Sequence, residues 1–158
     1  MTAKSSNNKQ NKHIAFFAGS FDPFTIGHAS VVERALNMFD AVIIGIGINP
    51  LKTSSVESER RAKAIVNLYE SEPRVTIHTY TGLTTDAARE VGASCLLRGV
   101  RSVKDFEYER DMADINRQLS GLETVLLYSL PEHAAVSSSV VKELQAFGKD
   151  VDRFLPRK

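Results

Sequence analysis

Residues 19–28, Gly-Ser-Phe-Asp-Pro-Phe-Thr-Ile-Gly-His, combine residue types that suit the binding of a phosphorylated ligand. Ser20 supplies a hydroxyl, and the imidazole of His28 can donate a hydrogen bond to a phosphate oxygen. Gly19 lets the backbone approach a ligand without a Cβ, and Gly27 permits a sharp entry into a following helix. On these residues alone two interpretations stay open: an anion-binding site, or an ordinary turn with a partly exposed histidine.

The sequence on either side of this segment predicts that it connects a strand to a helix. Residues 14–18 form a short apolar run of strand type. After the segment, apolar residues recur at helical spacing at Val31, Val32, Ala35, Leu36 and Phe39. In a parallel sheet such a turn lies at the carboxyl edge, where the helix presents unpaired backbone N–H groups and a positive dipole end. We therefore expect an anion to bind there.

Strand and helix patterns alternate along the rest of the chain. Further strands are predicted at 41–48, 75–79, 95–97 and 124–128, each followed by a segment of helical type. The fourth helix is charged and has one apolar face, formed by Tyr108, Met112, Ile115 and Leu119. Serines at 137–139 cap the last helix, which ends near Gly148. These alternations, without repeats or linkers, predict an α/β fold with a single doubly wound, five-stranded parallel sheet.

The predicted topology brings distant polar residues to one edge of the sheet, because the loops that follow parallel strands all open there. These loops carry Ser20, His28, Lys52, Thr84, Arg98, Arg101 and residues 137–139. The result is a local excess of cationic donors in a chain whose formal net charge is only +1. A bland alternative stays open, in which both arginines form surface ion pairs with the nearby acidic residues and Lys52 is an ordinary exposed lysine.

Composition limits the function classes. With 158 residues, 42% hydrophobic and 25% charged, the chain is long enough for one globular domain, and its balanced charge argues against nucleic acid as a partner. Cys95 is the only cysteine and lies in an apolar run, so we expect a buried thiol and a cytoplasmic location. Residues 1–12 are polar and lack an apolar core, which predicts a disordered leader before a domain at 13–158. We expect no membrane span.

The candidate residues suit charge stabilisation more than covalent catalysis. No acidic pair has metal-ligand spacing, and no serine or cysteine has an obvious base partner. A reaction that holds two phosphorylated substrates in line fits this set, with the added negative charge of the transition state met by His28, Lys52 and an arginine. Transfer of a nucleotidyl group from a nucleoside triphosphate is such a reaction.

Several motifs, in order, resemble those of one enzyme family. They are Thr25-Ile26-Gly27-His28, Leu97-Arg98-Gly99-Val100-Arg101, Asp105-Phe106-Glu107-Tyr108-Glu109, Asn116-Arg117, Val136-Ser137-Ser138-Ser139, Val141-Lys142-Glu143, Asp150-Val151 and Phe154-Leu155-Pro156. From about residue 14 to residue 156 the chain resembles the phosphopantetheine adenylyltransferases of the nucleotidylyltransferase superfamily. The resemblance implies a Rossmann-like fold and the formation of dephospho-coenzyme A and pyrophosphate from ATP and 4′-phosphopantetheine, by direct attack on the α-phosphorus.

The resemblance also implies roles for individual residues. His28 would stabilise the transition state, with Lys52 and Arg101 as further catalytic residues. ATP would be held by Ser20, Phe21, His28, Gly99, Val100, Arg101, Glu109, His133, Ala134, Ala135, Val136, Ser137, Ser138 and Ser139. Phosphopantetheine would be held by Ser20, Lys52, Thr84 and Arg98. Magnesium would arrive with ATP rather than in a protein metal site, and the chain would assemble as a homohexamer.

Some features of the sequence depart from the family pattern, and two rival functions remain. Residues 133–135, His-Ala-Ala, lack the aromatic residue often found at the start of that loop, and Thr84 matches a variable position. The chain could be another cytidylyl- or adenylyltransferase of the superfamily, since the phosphate chemistry is shared. From a different class, it could be a nucleotide-binding regulatory module without turnover.

Overall fold

The computed structural model describes residues 11–158 and contains five strands and five α-helices in alternation. The order is β1 (Ile14–Gly19), α1 (Ile26–Ala35), β2 (Ala41–Gly47), α2 (Ser55–Leu68), β3 (Val75–Tyr80), α3 (Thr84–Glu90), β4 (Cys95–Val100), α4 (Val103–Ser120), β5 (Thr124–Tyr128) and α5 (Ser138–Ala146), with 3₁₀ helices at Pro131–His133 and Asp152–Phe154. Most of the predicted leader, at residues 1–12, lies outside the described residues, so its disorder stays a prediction.

The strands form one parallel sheet in the order β3-β2-β1-β4-β5. The chain moves outward from β1 through β2 to β3, then returns to the other side of β1 with β4 and β5. This confirms the predicted doubly wound α/β fold. The direction of winding reverses between β1 and β4, and ligands bind at that point of such sheets, beyond the carboxyl ends of the strands.

Both faces of the sheet are covered, which explains the continuous apolar runs in its central strands. Phe17 and Leu97 point to the face covered by α1 and α2, where they pack with Val32 and Ile65. The next residue along β1, Phe16, points to the opposite face, which α3 covers. Cys95 is buried as predicted, and burial raises the pKa of its thiol.

The structure corrects several details of the sequence interpretation. β4 extends through Val100, so Arg98 belongs to the strand and not to the loop after it. The predicted apolar face of α4 does not pack on the core: Tyr108 and Leu119 are each 62% exposed, and the helix residue that is buried is Glu109. Phe147, at the C-terminal end of α5, is also exposed.

We predict that Gly45→Ala destabilises the fold, because a Cβ at Gly45 in β2 would lie 2.2 Å from the ring of Phe16. Overpacking of this kind costs about 1–3 kcal/mol of unfolding free energy, measurable as a lower urea midpoint with an unchanged slope. Gly99→Ala in β4 is the matched control, because its Cβ would approach only Val31, at 3.4 Å. Equal midpoints for the two variants would contradict the packing assigned to Phe16.

Candidate functional site

A cavity of about 350 Å³ opens at the carboxyl edge of the sheet, where β1 and β4 are neighbours. Its walls come from four parts of the chain: the turn after β1, the first turn of α1, the end of β4 with α4, and the start of α5. The predicted site residues that line it are Ser20, Phe21, His28, Arg98, Gly99, Arg101, Glu109, Val136, Ser137, Ser138 and Ser139. The fold therefore brings together most of the set selected from the sequence.

His28 is the third residue of α1, and its ring is held by the start of its own helix. Its Nδ1 accepts a hydrogen bond of 2.9 Å from the backbone N–H of Thr25, the N-cap residue, and lies 3.1 Å from the Thr25 hydroxyl. A neutral imidazole that accepts at Nδ1 carries its proton at Nε2. His28 is thus a ring whose remaining polar atom is a hydrogen-bond donor.

The surroundings of His28 keep it uncharged. The rings of Phe17, Phe21 and Phe24 lie 5.1–6.1 Å from the imidazole, centroid to centroid. Burial among them, with a further contribution from the positive charges of Arg101 and Arg98, lowers the pKa of His28 to about 4. At neutral pH the residue donates a hydrogen bond to an anion without adding a charge of its own.

The two glycines beside this residue act differently from the expectation. Gly27 has no positive φ, and a Cβ there would come no closer than 3.5 Å to Thr25 Oγ1, so a sharp helix entry is not what it provides. At Gly19 a Cβ would lie 2.9 Å from the ring of Phe21, which itself has a φ of 47°. The absence of a side chain at Gly19 thus makes room for a cavity-lining aromatic ring.

Arg98 is fixed by an ion pair with a buried carboxylate. Its Nε donates to both carboxylate oxygens of Glu109, at 2.9 and 3.0 Å, its Nη2 donates to one of them at 2.6 Å, and its Nη1 donates to the carbonyl of Ala18. Glu109 is only 7% exposed. The alternative that Arg98 forms only a surface ion pair is therefore wrong. Within residues 11–158 one N–H on Nη1 and one on Nη2 keep no partner, so the guanidinium can still bind an oxyanion.

Arg101 is held less tightly. Its Nε donates to Asp105 at 3.0 Å across one turn, and both side chains are partly exposed. The hydroxyl of Ser102 caps α4 by accepting from the backbone N–H of Asp105. Neither terminal nitrogen of Arg101 has a partner in the described part of the chain, so four N–H groups beside the cavity are available to a phosphate.

The three serines at the start of α5 divide into three roles. The hydroxyl of Ser137 accepts from the backbone N–H of Val140 at 3.2 Å and caps the helix, as predicted. The hydroxyl of Ser138 donates to the carbonyl of Pro23 at 2.7 Å and ties α5 to the turn after β1. Ser139 is exposed at the cavity wall.

Other predicted residues do not reach this cavity. Lys52 lies in the exposed turn after β2, and His133, Ala134 and Ala135 lie outside the lining. Val100 lines another cavity, of about 420 Å³, which shares Arg101 and Ser129 with the first.

Thr84 lines a third cavity, of about 150 Å³, which shares Ala18, Arg98, Tyr108 and Glu109 with the first. Its hydroxyl lies 2.8 Å from that of Tyr80.

Sequence reasoning missed two residues that support the site from outside it. Arg61 of α2 donates from Nη1 to the carbonyl of Ser20 at 2.5 Å, and Lys142 of α5 pairs with Asp22. A signal for Arg61 was present, because it stands four residues before the buried Ile65 and so lies on the inward face of an otherwise amphipathic helix.

Within residues 11–158, histidine, cysteine and acidic side chains form no group of three or more that could hold a metal ion. In the same range, no helix is both long and apolar enough to cross a membrane.

Comparison with known proteins gives consistent matches over most of the chain. A family model described as Cytidylyltransferase-like matches residues 16–144. A protein named phosphopantetheine adenylyltransferase from Porphyromonas gingivalis is 55% identical over 145 residues, which are 92% of this chain and 95% of the relative. Proteins of the same name from Bacteroides thetaiotaomicron and Leuconostoc citreum are 53% and 43% identical, covering 90% and 91% of this chain and 94% and 92% of their own lengths.

Solved structures show likeness in fold alone. A bifunctional NMN adenylyltransferase/ADP ribose pyrophosphatase from Francisella tularensis superposes with a TM-score of 0.67 at 16% identity, over 91% of this chain and 45% of the other. A putative nicotinate-nucleotide adenylyltransferase from Vibrio parahaemolyticus superposes with a TM-score of 0.62 at 17% identity, over 92% and 94% of the two chains.

We predict that His28 stays neutral through the physiological range and titrates at about pH 4. Nitrogen-15 NMR of the imidazole across pH 3–8 would measure this and would show the proton on Nε2. Arg101→Gln should raise the pKa of His28, because it removes the positive charge that lowers this pKa more than the charge of Arg98 does. Arg60→Gln, on the exposed side of α2, is the control and should leave the titration unchanged. A midpoint near the ordinary value of 6.5 in the wild type would contradict the assigned burial.

Proposed function

The chain belongs to the phosphopantetheine adenylyltransferases, within the cytidylyltransferase-like family, and we propose that it transfers the adenylyl group of ATP by direct in-line attack. The phosphate of 4′-phosphopantetheine attacks the α-phosphorus, a new P–O bond forms, and the bond to the bridging oxygen of pyrophosphate breaks. The products are dephospho-coenzyme A and pyrophosphate, which places the reaction in coenzyme A biosynthesis. No covalent enzyme intermediate is formed.

The observation that carries this mechanism is the neutral donor of His28 among unpaired arginine N–H groups in one cavity. In-line attack concentrates negative charge on the oxygens of the α-phosphate. A fixed Nε2–H and the free ends of Arg101 stabilise that charge more than the charge of the ground state. Lys52, on the exposed turn after β2, is proposed as a further cation that approaches the phosphates when substrates bind.

We assign ATP to the walls made by the turn after β1, the end of β4 and the start of α5. The backbone N–H groups at the start of α1 and α5 suit the triphosphate. Loop residues 133–136 and Val100 are proposed to contact the nucleoside. Glu109 acts indirectly, by holding Arg98. Magnesium enters with ATP as part of that substrate.

The acceptor substrate is assigned to Arg98 and the cavity that contains Thr84. Arg98 and Glu109 line both this cavity and the one that contains His28. A phosphate bound to Arg98 would therefore leave the pantetheine arm in the smaller of these two, beside Thr84. Ser20 lies at the cavity wall, next to both substrates in this arrangement. A cytoplasmic location is also part of the proposal, in keeping with the buried free thiol of Cys95.

The test of this function is pyrophosphate release from ATP in the presence of different acceptors. Release with 4′-phosphopantetheine, but not with nicotinamide mononucleotide or glycerol phosphate, would support the proposal. Release with one of the other acceptors instead would indicate a different nucleotidylyltransferase. Nucleotide binding without release with any acceptor would indicate a regulatory module.

We predict that His28→Ala lowers turnover by about 100-fold or more and leaves ATP binding nearly unchanged, because its hydrogen bond belongs to the transition state. Pyrophosphate release and equilibrium binding of ATP measure the two quantities separately. His13→Ala, which removes an exposed imidazole just before β1, is the matched control. Turnover of His28→Ala close to that of the control would remove His28 from the mechanism.

We propose that the chain assembles as a homohexamer through α4 and β5. The exposed apolar side chains there include Tyr108, Ile115, Leu119 and Tyr128, and no side chain of β5 is fully buried. An apolar face of this kind on a folded chain is typical of a surface covered by a partner. A homohexamer would sediment at about six times the chain mass of 17.4 kDa.

We predict that Leu119→Glu lowers the sedimenting mass, because it places a charge in the covered face. Val66→Glu, at an exposed apolar position of α2, is the control and should keep the mass of the wild type. Circular dichroism checks that both variants remain folded. A wild type that sediments as a single chain at every concentration would overturn the assembly.

A further inference from the structure

Two helices, α2 and α5, hold the turn of residues 20–24 in place. Ser138 and Lys142 of α5 hold its far end, through the carbonyl of Pro23 and the carboxylate of Asp22. Its near end, at the exit from β1, is held by Arg61 of α2, which donates to the carbonyl of Ser20 at 2.5 Å. The near end is also the end that enters the cavity wall.

At this position an arginine lowers the stability of the fold relative to an apolar side chain. Its Nε and Nη2 are buried and have no hydrogen-bond partner within residues 11–158. Buried donors without partners lower stability, and an apolar side chain of similar length would avoid that cost. The charges that face the same junction are those of Lys142, Asp22 and Glu57, and Lys142 is already paired with Asp22.

We propose that Arg61 is a positioning residue for adenylyl transfer, which sets the place of Ser20 at the cavity wall through the Ser20 carbonyl. The inference rests on the proposed function, because Ser20 is assigned there to both substrates. Arg61 does not line the cavity, and the hydrogen bond that it makes there is to the backbone of the turn. It acts through the backbone: a turn fixed at Ser20 presents the Ser20 hydroxyl and the ring of Phe21 at a constant place, which in-line attack requires.

The proposal separates stability from activity, which a merely structural role would not do. Arg61→Met keeps the length of the side chain and removes the unpartnered donors, so its thermal midpoint should equal or exceed that of the wild type. Its kcat/KM for pyrophosphate release should nevertheless fall by about tenfold or more, because small misplacements at a reacting centre are costly. Arg61→Lys retains one donor for the Ser20 carbonyl and should recover most of the activity.

Two further measurements complete the experiment. Arg60→Met, at the exposed neighbouring position, is the matched control and should leave both stability and kcat/KM unchanged. In a Ser20→Ala background, Arg61→Met should cause a clearly smaller loss than in the wild type, because the group that it positions is already absent.

A readout that needs no substrate distinguishes failure of this inference from failure of the proposed function. Amide hydrogen exchange in the turn of residues 20–24 should be faster in Arg61→Met than in the wild type, with the rest of the chain unchanged. Unchanged exchange, wild-type kcat/KM, or a loss of activity that follows a loss of stability would each overturn the role of Arg61. Faster exchange in a protein whose wild type releases no pyrophosphate would instead overturn the proposed function.

Discussion

The ion pair between Arg98 and Glu109 is the constraint on which the site depends. It lies at the sheet edge where the winding direction reverses, and it joins three elements: the end of β1 through the Ala18 carbonyl, β4 through Arg98, and α4 through Glu109. A buried carboxylate with a single cationic partner cannot lose that partner cheaply. The pair therefore fixes the distance between β1 and α4, and with it the width of the cavity.

The same arrangement explains how the site stays cationic without a charged histidine. Glu109 and Asp105 each pair with the Nε of an arginine and leave N–H groups of its terminal nitrogens unpaired at the cavity. His28 contributes a donor but no charge, because aromatic burial and the neighbouring guanidiniums both disfavour its protonation. The positive charge of the cavity thus comes from the guanidinium groups of Arg98 and Arg101, and the protein as a whole remains close to neutral.

Much of the fold could be predicted from the sequence, because continuous apolar runs and helical spacing report burial directly. The five strands, their parallel direction and the gathering of Ser20, His28, Arg98 and residues 137–139 at one edge follow from this.

The sequence pattern could not show that β4 continues through Arg98, because a half-buried arginine paired with Glu109 looks the same in sequence as an exposed one. The apolar spacing of α4 was real, but periodicity does not tell whether an apolar face packs on the core or stays exposed. The spacing of α2 places Arg61 on the inward face of the helix, but it could not show that the partner of Arg61 is a backbone carbonyl, that of Ser20.

Tyr108 connects the cavities with the outer surface of α4. It lines both the cavity that contains His28 and the cavity that contains Thr84, yet most of its side chain faces outward from α4, directly before the buried Glu109. In the arrangement proposed above, a partner that covers that outward face would lie one aromatic ring away from the acceptor. Under that proposal, substitutions on the outer side of α4 would change acceptor selection through Tyr108 and leave the surroundings of His28 unchanged.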